Sequence, residues 1–209
     1  YARLNLQLVR EVPLGISAAR NRGIGAARGD LLLFVDSDCT LEPGCLTHLL
    51  EFCAAHPGGC YQLAIRGDTS TWVGKMVHLR CATTMECLRT RDGHIDYTNT
   101  SGLAVARSRL QEATLFDTRA SRGEDSLVMT KLARFHERPW YVPDAVIRHS
   151  PESPLLRYIL RHYRVGLLAG FARQELNRSL PVLMNSAGRL HVLRGIWQRA
   201  RAERIGSRA

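Results

Sequence analysis

The chain has 209 residues, 45% hydrophobic and 23% charged, the balance of a globular protein that can bury a core without covalent staples. That balance excludes an extended disordered chain, and no run reaches the roughly 18 apolar residues a bilayer-spanning helix needs. The net charge is +10, from 29 basic against 19 acidic residues. Charge alone therefore admits nucleic acid, an anionic membrane or a nucleotide diphosphate as partner.

Only Lys75 and Lys131 are lysines; every other basic residue is arginine. Such an excess suits oxyanion recognition through paired guanidinium hydrogen bonds, and it equally reflects genome composition. None of the 6 cysteines forms a C-x-x-C pair, so they read as reduced, mostly buried thiols of a cytosolic protein.

In chain order, Leu4 to Val9 alternates weakly and reads as a strand. Ser17 is placed to cap a helix from about Ala18 to Arg28, with Gly29 as its stop. Leu31 to Val35 is a continuous apolar run, as in a fully buried strand of a parallel sheet. Pro43 is placed to open a second helix with Leu46, Leu49, Leu50 and Cys53 on its apolar face. Residues 60–66 read as a strand and residues 72–89 as a helix, apolar at Val73, Met76, Val77, Leu79 and Leu88. Leu103 to Ala106 is a short strand, and Gly123 leads into a helix carrying Leu127, Val128 and Leu132. Two short strands, 140–142 and 145–147, are expected on either side of Pro143-Asp144. From Pro151 the chain becomes arginine-rich amphipathic helix, which places a domain boundary near residue 152.

Asp36 and Asp38 follow the apolar strand directly. Side chains two apart on an extended chain point the same way, so the two carboxylates are expected to converge beyond the strand's carboxyl end. Paired hard oxygen ligands suit Mg²⁺ or Mn²⁺, and such an ion suits a phosphate substrate. The plain alternative is a polar strand end and a turn.

The stretch from Gly15 to Asp30, followed by LLLFVDSD, resembles the family-2 glycosyltransferases of the GT-A fold. There a helix with an Ala-Arg-Asn-x-Gly signature leads through Gly-Asp to a metal-binding Asp-x-Asp strand. The resemblance continues through Asn99 to Arg107, Gly123-Glu124-Asp125 and Tyr141 to His149, covering about residues 9–150. It implies an α/β GT-A domain, Rossmann-like and mainly parallel, over residues 1–152, with a C-terminal basic helical region over 153–209. Nothing before Leu4 supplies the family's first βαβ unit, so the resemblance also implies truncation at the N-terminus, weak donor binding and an exposed sheet edge.

Carried across, the resemblance implies an inverting, metal-assisted transfer of a sugar from a nucleotide-diphosphate sugar to an acceptor hydroxyl. Asp36 and Asp38 become the metal and diphosphate motif, with His149 as a further ligand, neutral imidazole being suited to Mn²⁺. His149 is otherwise a satisfied loop histidine. Asp125 becomes the general base, an alcohol being a poor nucleophile until its proton is leaving; its structural alternative is a helix N-cap. Glu124 orients its neighbour or the acceptor. Arg20 and Asn21 touch the nucleotide or brace the sheet. Gly102 lies where similar enzymes admit donor and acceptor, or is an ordinary turn glycine.

Arg157, Arg161 and Arg164 share a helical face. The resemblance makes Arg161 and Arg164 part of a basic helix closing over the diphosphate, against a merely solvated face. The stretch from Leu190 to Arg204 suits either an anionic membrane surface or packing on the main domain. The acceptor is left open among lipid, saccharide and peptide, the expected location is cytoplasmic, reaching the inner membrane face, and no nucleic acid partner is expected. Two rivals remain: a basic nucleic-acid- or membrane-surface-binding module with structural acidic motifs, and a metal-dependent nucleotidyltransferase.

Overall fold

A computed structural model of the protein describes residues 6–10, 14–110, 115–120, 122–134, 138–150, 155–168, 174 and 186–202. The helices are α1 (Ile16–Ala26), α2 (Cys45–Ala55), α3 (Trp72–Leu88), α4 (Glu124–Arg134), α5 (Leu155–Leu168) and α6 (Ser186–Ala202). The strands are β1 (Leu31–Leu33), β2 (Cys39–Leu41), β3 (Cys60–Gly67), β4 (Leu103–Ala106) and β5 (Trp140–His149). They form one sheet in the order β1-β4-β3-β5-β2.

The sheet is mixed. β3 and β5 pair in parallel, whereas β4 pairs antiparallel with both β1 and β3, and β2 pairs antiparallel with β5. β1, β3 and β5 therefore run one way and β4 and β2 the other. Their directions bring the carboxyl ends of β1, β3 and β5 to the same sheet edge as the amino ends of β4 and β2. The acidic turn after β1 and the histidine ending β5 consequently share one rim, where open α/β sheets bind ligands.

Core packing follows the two-residue pleat. On β4, Ala104 packs with Cys45 and Leu49 of α2, while Leu103 and Val105 pack with Val128 and Leu132 of α4. α3 adds a third cluster in which Val73, Val77, Cys81 and Met85 cover Ile65 and Ile95. With both faces covered, β3 is buried along almost its whole length.

Several elements differ from the sequence expectation. Residues 6–10 carry no strand; residues 4 and 5 lie outside the described residues, as does the boundary near 152. α1 begins at Ile16 behind Gly15, whose φ of 98° is open to glycine, so Ser17 is buried in the first turn and does not cap it. The apolar run at 31–35 yields a short edge strand, antiparallel to β4, not a central parallel one. β2 was not expected: three residues carry no periodic signal, and only pairing with β5 makes them a strand.

Residues 140–149 form one strand where two were expected. Its register against β3 jumps from Val142 opposite Leu63 to Val146 opposite Ala64, so Pro143 to Ala145 are taken up in a bulge that spares Pro143 the missing amide hydrogen bond. On α2 the inward side is Cys45 and Leu49, with Phe52 and Cys53 alongside, while Leu46 and Leu50 are 51% and 61% exposed.

The connection from β3 to α3 depends on two glycines. Thr71 caps α3, its hydroxyl accepting from the Gly74 amide at 3.0 Å. A Cβ on Gly74 would lie 1.6 Å from the Asp68 carbonyl oxygen, and one on Gly67 would lie 2.5 Å from the Gly74 carbonyl oxygen. Both obstacles are main chain and cannot rotate away. Gly74→Ala should therefore destabilise the fold by about 3 kcal/mol or more, read as a lower urea midpoint, even though alanine favours helix elsewhere. An unchanged midpoint would refute this close approach.

Candidate active site at the sheet rim

Asp36 to Cys39 form a turn closed by the Cys39 amide donating to the Asp36 carbonyl at 3.0 Å. The two carboxylates are therefore not neighbours on an extended strand, as the alternation argument supposed. The turn aims them at different partners. Asp36 accepts from the Arg20 guanidinium at 2.9 Å and from the Ser101 hydroxyl at 2.8 Å, one bond to each oxygen. Asp38 faces His149, with 3.3 Å between a carboxylate oxygen and Nε2. Both carboxylates still bear electrostatically on Cys39 and His149.

The strand ladder explains the second pairing. Cys39 is the cross-strand partner of His149, and the Ser150 amide donates to the Asp38 carbonyl at 2.9 Å. One ligand atom each from Asp38, Cys39 and His149 lies within 4.8 Å of the others, an arrangement able to hold a metal ion. Burial holds the imidazole below its ordinary value, Arg80 and Arg161 push the same way, and Asp38 opposes them. The ring is thus neutral near pH 7, as a ligand must be. Its Nδ1 is buried with no hydrogen-bond partner among the described residues.

Burial pushes the Cys39 thiol up to about 11, so it stays protonated and offers little to a hard cation. The carboxylate and imidazole fit Mn²⁺ better than the thiol does. Cys39 was absent from the sequence-derived ligand set, and Asp36 has both oxygens engaged elsewhere.

Arg20 reaches across to the second acidic motif. Its other guanidinium nitrogen donates to Glu124 at 2.5 Å, and both side chains are almost fully enclosed. Gly123, at φ 83°, turns the chain into α4, so Glu124 and Asp125 occupy its first turn, where helix amides favour negative charge. Asp125 is half-buried, with Oδ1 accepting from the Ser126 amide at 2.8 Å. Burial and the adjacent Glu124 charge push its carboxyl up to about 6, while the Ser126 amide and Arg20 pull down.

Asn21 is spent on structure: its side chain donates to the Phe116 carbonyl at 2.8 Å and accepts from the Phe116 amide at 3.0 Å. Gly102 is buried against the sheet, where a Cβ would meet Gln62 Nε2 and Leu63 Cβ at 3.3 Å each. Buried Gln62 pins this loop at both ends, accepting from the Asn99 amide at 2.7 Å and donating to the Gly102 carbonyl at 3.1 Å. Neither Gln62 nor Ser101 was singled out in the sequence, where nothing marks partners so far apart in the chain. Arg161 and Arg164 are exposed on α5, and Arg161 is near enough to influence His149.

The mixed sheet covered by helices on both faces is a GT-A fold. The sequence model of glycosyl transferase family 2 matches residues 6–113, more than half the chain, and the protein belongs to that family. Among solved structures, the fold is similar to the mannosyltransferase PcManGT from Pyrobaculum calidifontis in complex with GDP-Man and Mn²⁺. That match has a TM-score of 0.55 at 17% identity and covers 90% of this chain and 55% of that one. TarS residues 1–349 of S. aureus, in complex with UDP-GlcNAc, gives a TM-score of 0.52 at 15% identity over 87% and 60% of the two chains. GalNAc-T7 with UDP, GalNAc and Mn²⁺ gives 0.50 at 17% identity over 75% and 35%. The chain thus spans between about a third and three fifths of these three structures. No curated protein sequence matches it.

Two outcomes test the electrostatics of the rim. Arg20→Met strands the enclosed Glu124 carboxylate and should cost about 3–5 kcal/mol in urea unfolding, most of it recovered by adding Glu124→Gln. For Asp125, the folded value of about 6 lies above the ordinary 3.8, so the native state holds the proton more tightly. Its contribution to stability is complete below pH 4 and is lost between about pH 4 and 6, by about 2–3 kcal/mol. Asp125→Asn should remove that segment of the stability-against-pH curve.

Proposed function

We propose that the protein transfers a sugar from a nucleotide-diphosphate sugar to an acceptor hydroxyl, with inversion at the anomeric carbon and help from Mn²⁺ or Mg²⁺. The observation that carries this reading is Arg20. One guanidinium binds Asp36, two residues from Asp38, and Glu124, beside Asp125. One guanidinium therefore links the turn that carries Asp38 to the helix start that carries Asp125.

In this reading Asp38 and His149 would hold a divalent ion, whose chemistry would be to offset charge on the departing nucleoside diphosphate. Asp36 is oriented by Arg20 and Ser101, and Arg161 would offer a guanidinium contact to the diphosphate from α5, as would Arg164. Asp125 takes the acceptor proton as the hydroxyl oxygen attacks the face opposite the leaving group. Its elevated pKa suits that work, because a base titrating near 6 is ionised at neutral pH yet accepts a proton more readily than an ordinary aspartate. Glu124, fixed by Arg20, holds the start of α4 and so the position of Asp125. Asn21 and Gly102 brace α1 and the loop before β4.

The test is release of nucleoside diphosphate from a panel of UDP- and GDP-sugars with Mn²⁺. Asp125→Asn should lower turnover by about 10²- to 10⁴-fold with donor binding retained. Asp38→Ala should weaken Mn²⁺ dependence and turnover together. Wild-type turnover should climb with pH through about 6 and level off above it. Unaltered turnover in Asp125→Asn would remove that residue from the mechanism. Pyrophosphate as product would point to nucleotidyl transfer.

A further inference from the structure

The positive charge is not spread evenly along the chain. Residues 155–209 hold 11 arginines against only Glu175 and Glu203, whereas residues 1–154 hold 18 basic and 17 acidic residues. Nearly the whole net charge of +10 therefore belongs to the last quarter of the sequence. Neither α5 nor α6 contains an acidic residue.

Both helices are anchored on one side. Tyr158 of α5 packs into the cluster of Val73, Val77, Cys81 and Met85. α6 lies so close to α3 that a Cβ on Gly195 would be 2.8 Å from Thr83 Cγ2, and Arg199 bonds Glu86. The other side of each helix is apolar and open to solvent. On α5, Leu156, Ile159, Leu160, Tyr163 and Leu167 recur at three- and four-residue steps, with Leu156 68% and Tyr163 66% exposed. On α6, Leu190, Leu193 and Trp197 do the same, and Leu193 and Trp197 are each 60% exposed. Exposed arginines outside the sugar-transfer reading flank both stripes: Arg157 on α5, Arg194 and Arg201 on α6. Arg201 lies 4.6 Å over the Trp197 ring.

We propose that α5 and α6 form a docking surface for an anionic lipid bilayer, the apolar stripes entering the interface and the flanking arginines binding lipid phosphates. A helix with an aliphatic and tryptophan face bordered by arginine, and no acid, is built to lie in the headgroup region. No helix among the described residues is long and apolar enough to cross the membrane. Nucleic acid would use the same arginines and could stack bases on Tyr163 and Trp197, but it gains little from the leucines and isoleucine that make up most of both stripes. The surface stands apart from the sugar-transfer reading and can fail or hold without it.

The experiment is co-sedimentation of the full chain with phosphatidylcholine vesicles, with and without phosphatidylglycerol, at low and high salt. Binding should be more than about tenfold tighter with phosphatidylglycerol and weaken in salt. Arg157→Gln/Arg194→Gln/Arg201→Gln should lose most of that preference. Leu156→Ser/Tyr163→Ser/Leu193→Ser/Trp197→Ser should lose the binding that survives high salt. These positions are exposed, so melting temperatures should match the wild type; if the serine variant melts early, the glutamine variant alone decides. Equal binding to both vesicle types would overturn the proposal, as would retained binding in the glutamine variant. So would a short RNA displacing the vesicles and binding the serine variant unchanged, or a dimer dissolved by the serine changes with no vesicle binding.

Discussion

One guanidinium organises the rim of this sheet. Arg20 sits on α1, yet the carboxylates it binds come from the turn after β1 and the first turn of α4, 16 and 104 residues away in sequence. Enclosing Glu124 without a countercharge would be expensive, and enclosing Arg20 without acids equally so. The ion pairs therefore couple the positions of three elements that share no strand pairing. They also leave the rim sensitive to any change in the number of charges it holds.

Around that core of charge, neutral groups fix the remaining geometry. Ser101 holds the second oxygen of Asp36, and Gln62 determines where Ser101 can be by bonding the backbone on both sides of it. A buried glutamine in a strand interior is unusual, and here it meets the demand for partners with both ends of its amide. The result is a chain of contacts from the centre of the sheet outward to the acidic turn. Rigid support of this kind keeps a site's geometry fixed in the absence of ligand.

Much of the fold was legible in the sequence because its signals are local. β4 lies where the run Leu103 to Ala106 placed it, α3 ends one residue before its predicted limit, and α4 starts at the Gly123 turn. What escaped was decided at a distance. β2 exists only because β5 offers it hydrogen bonds, and β5 stays whole only because a bulge absorbs Pro143. Leu46 and Leu50 looked like core because they share a helical face with Leu49, but the small patch of sheet beneath α2 is filled by Cys45 and Leu49. At the rim, the motifs named Asp36, Asp38, Glu124, Asp125 and His149, while spacing alone could not reveal that the acidic turn points its carboxylates at different partners. Ser101, Gln62 and Cys39 carry ordinary side chains in ordinary positions, and only the tertiary contacts single them out.

The cross-strand facing of Cys39 and His149 makes this corner depend on strand register. Pleating alternates sides at every step, so sliding β2 by one residue against β5 would turn Cys39 off the face it shares with His149. Asp38 lies just outside that ladder, and its approach to the imidazole is set instead by the turn, closed by the Cys39 amide on the Asp36 carbonyl and tied to β5 by the Ser150 amide on the Asp38 carbonyl. Ladder and turn thus lock the corner by separate means, and a change in length on either side would disturb one of them.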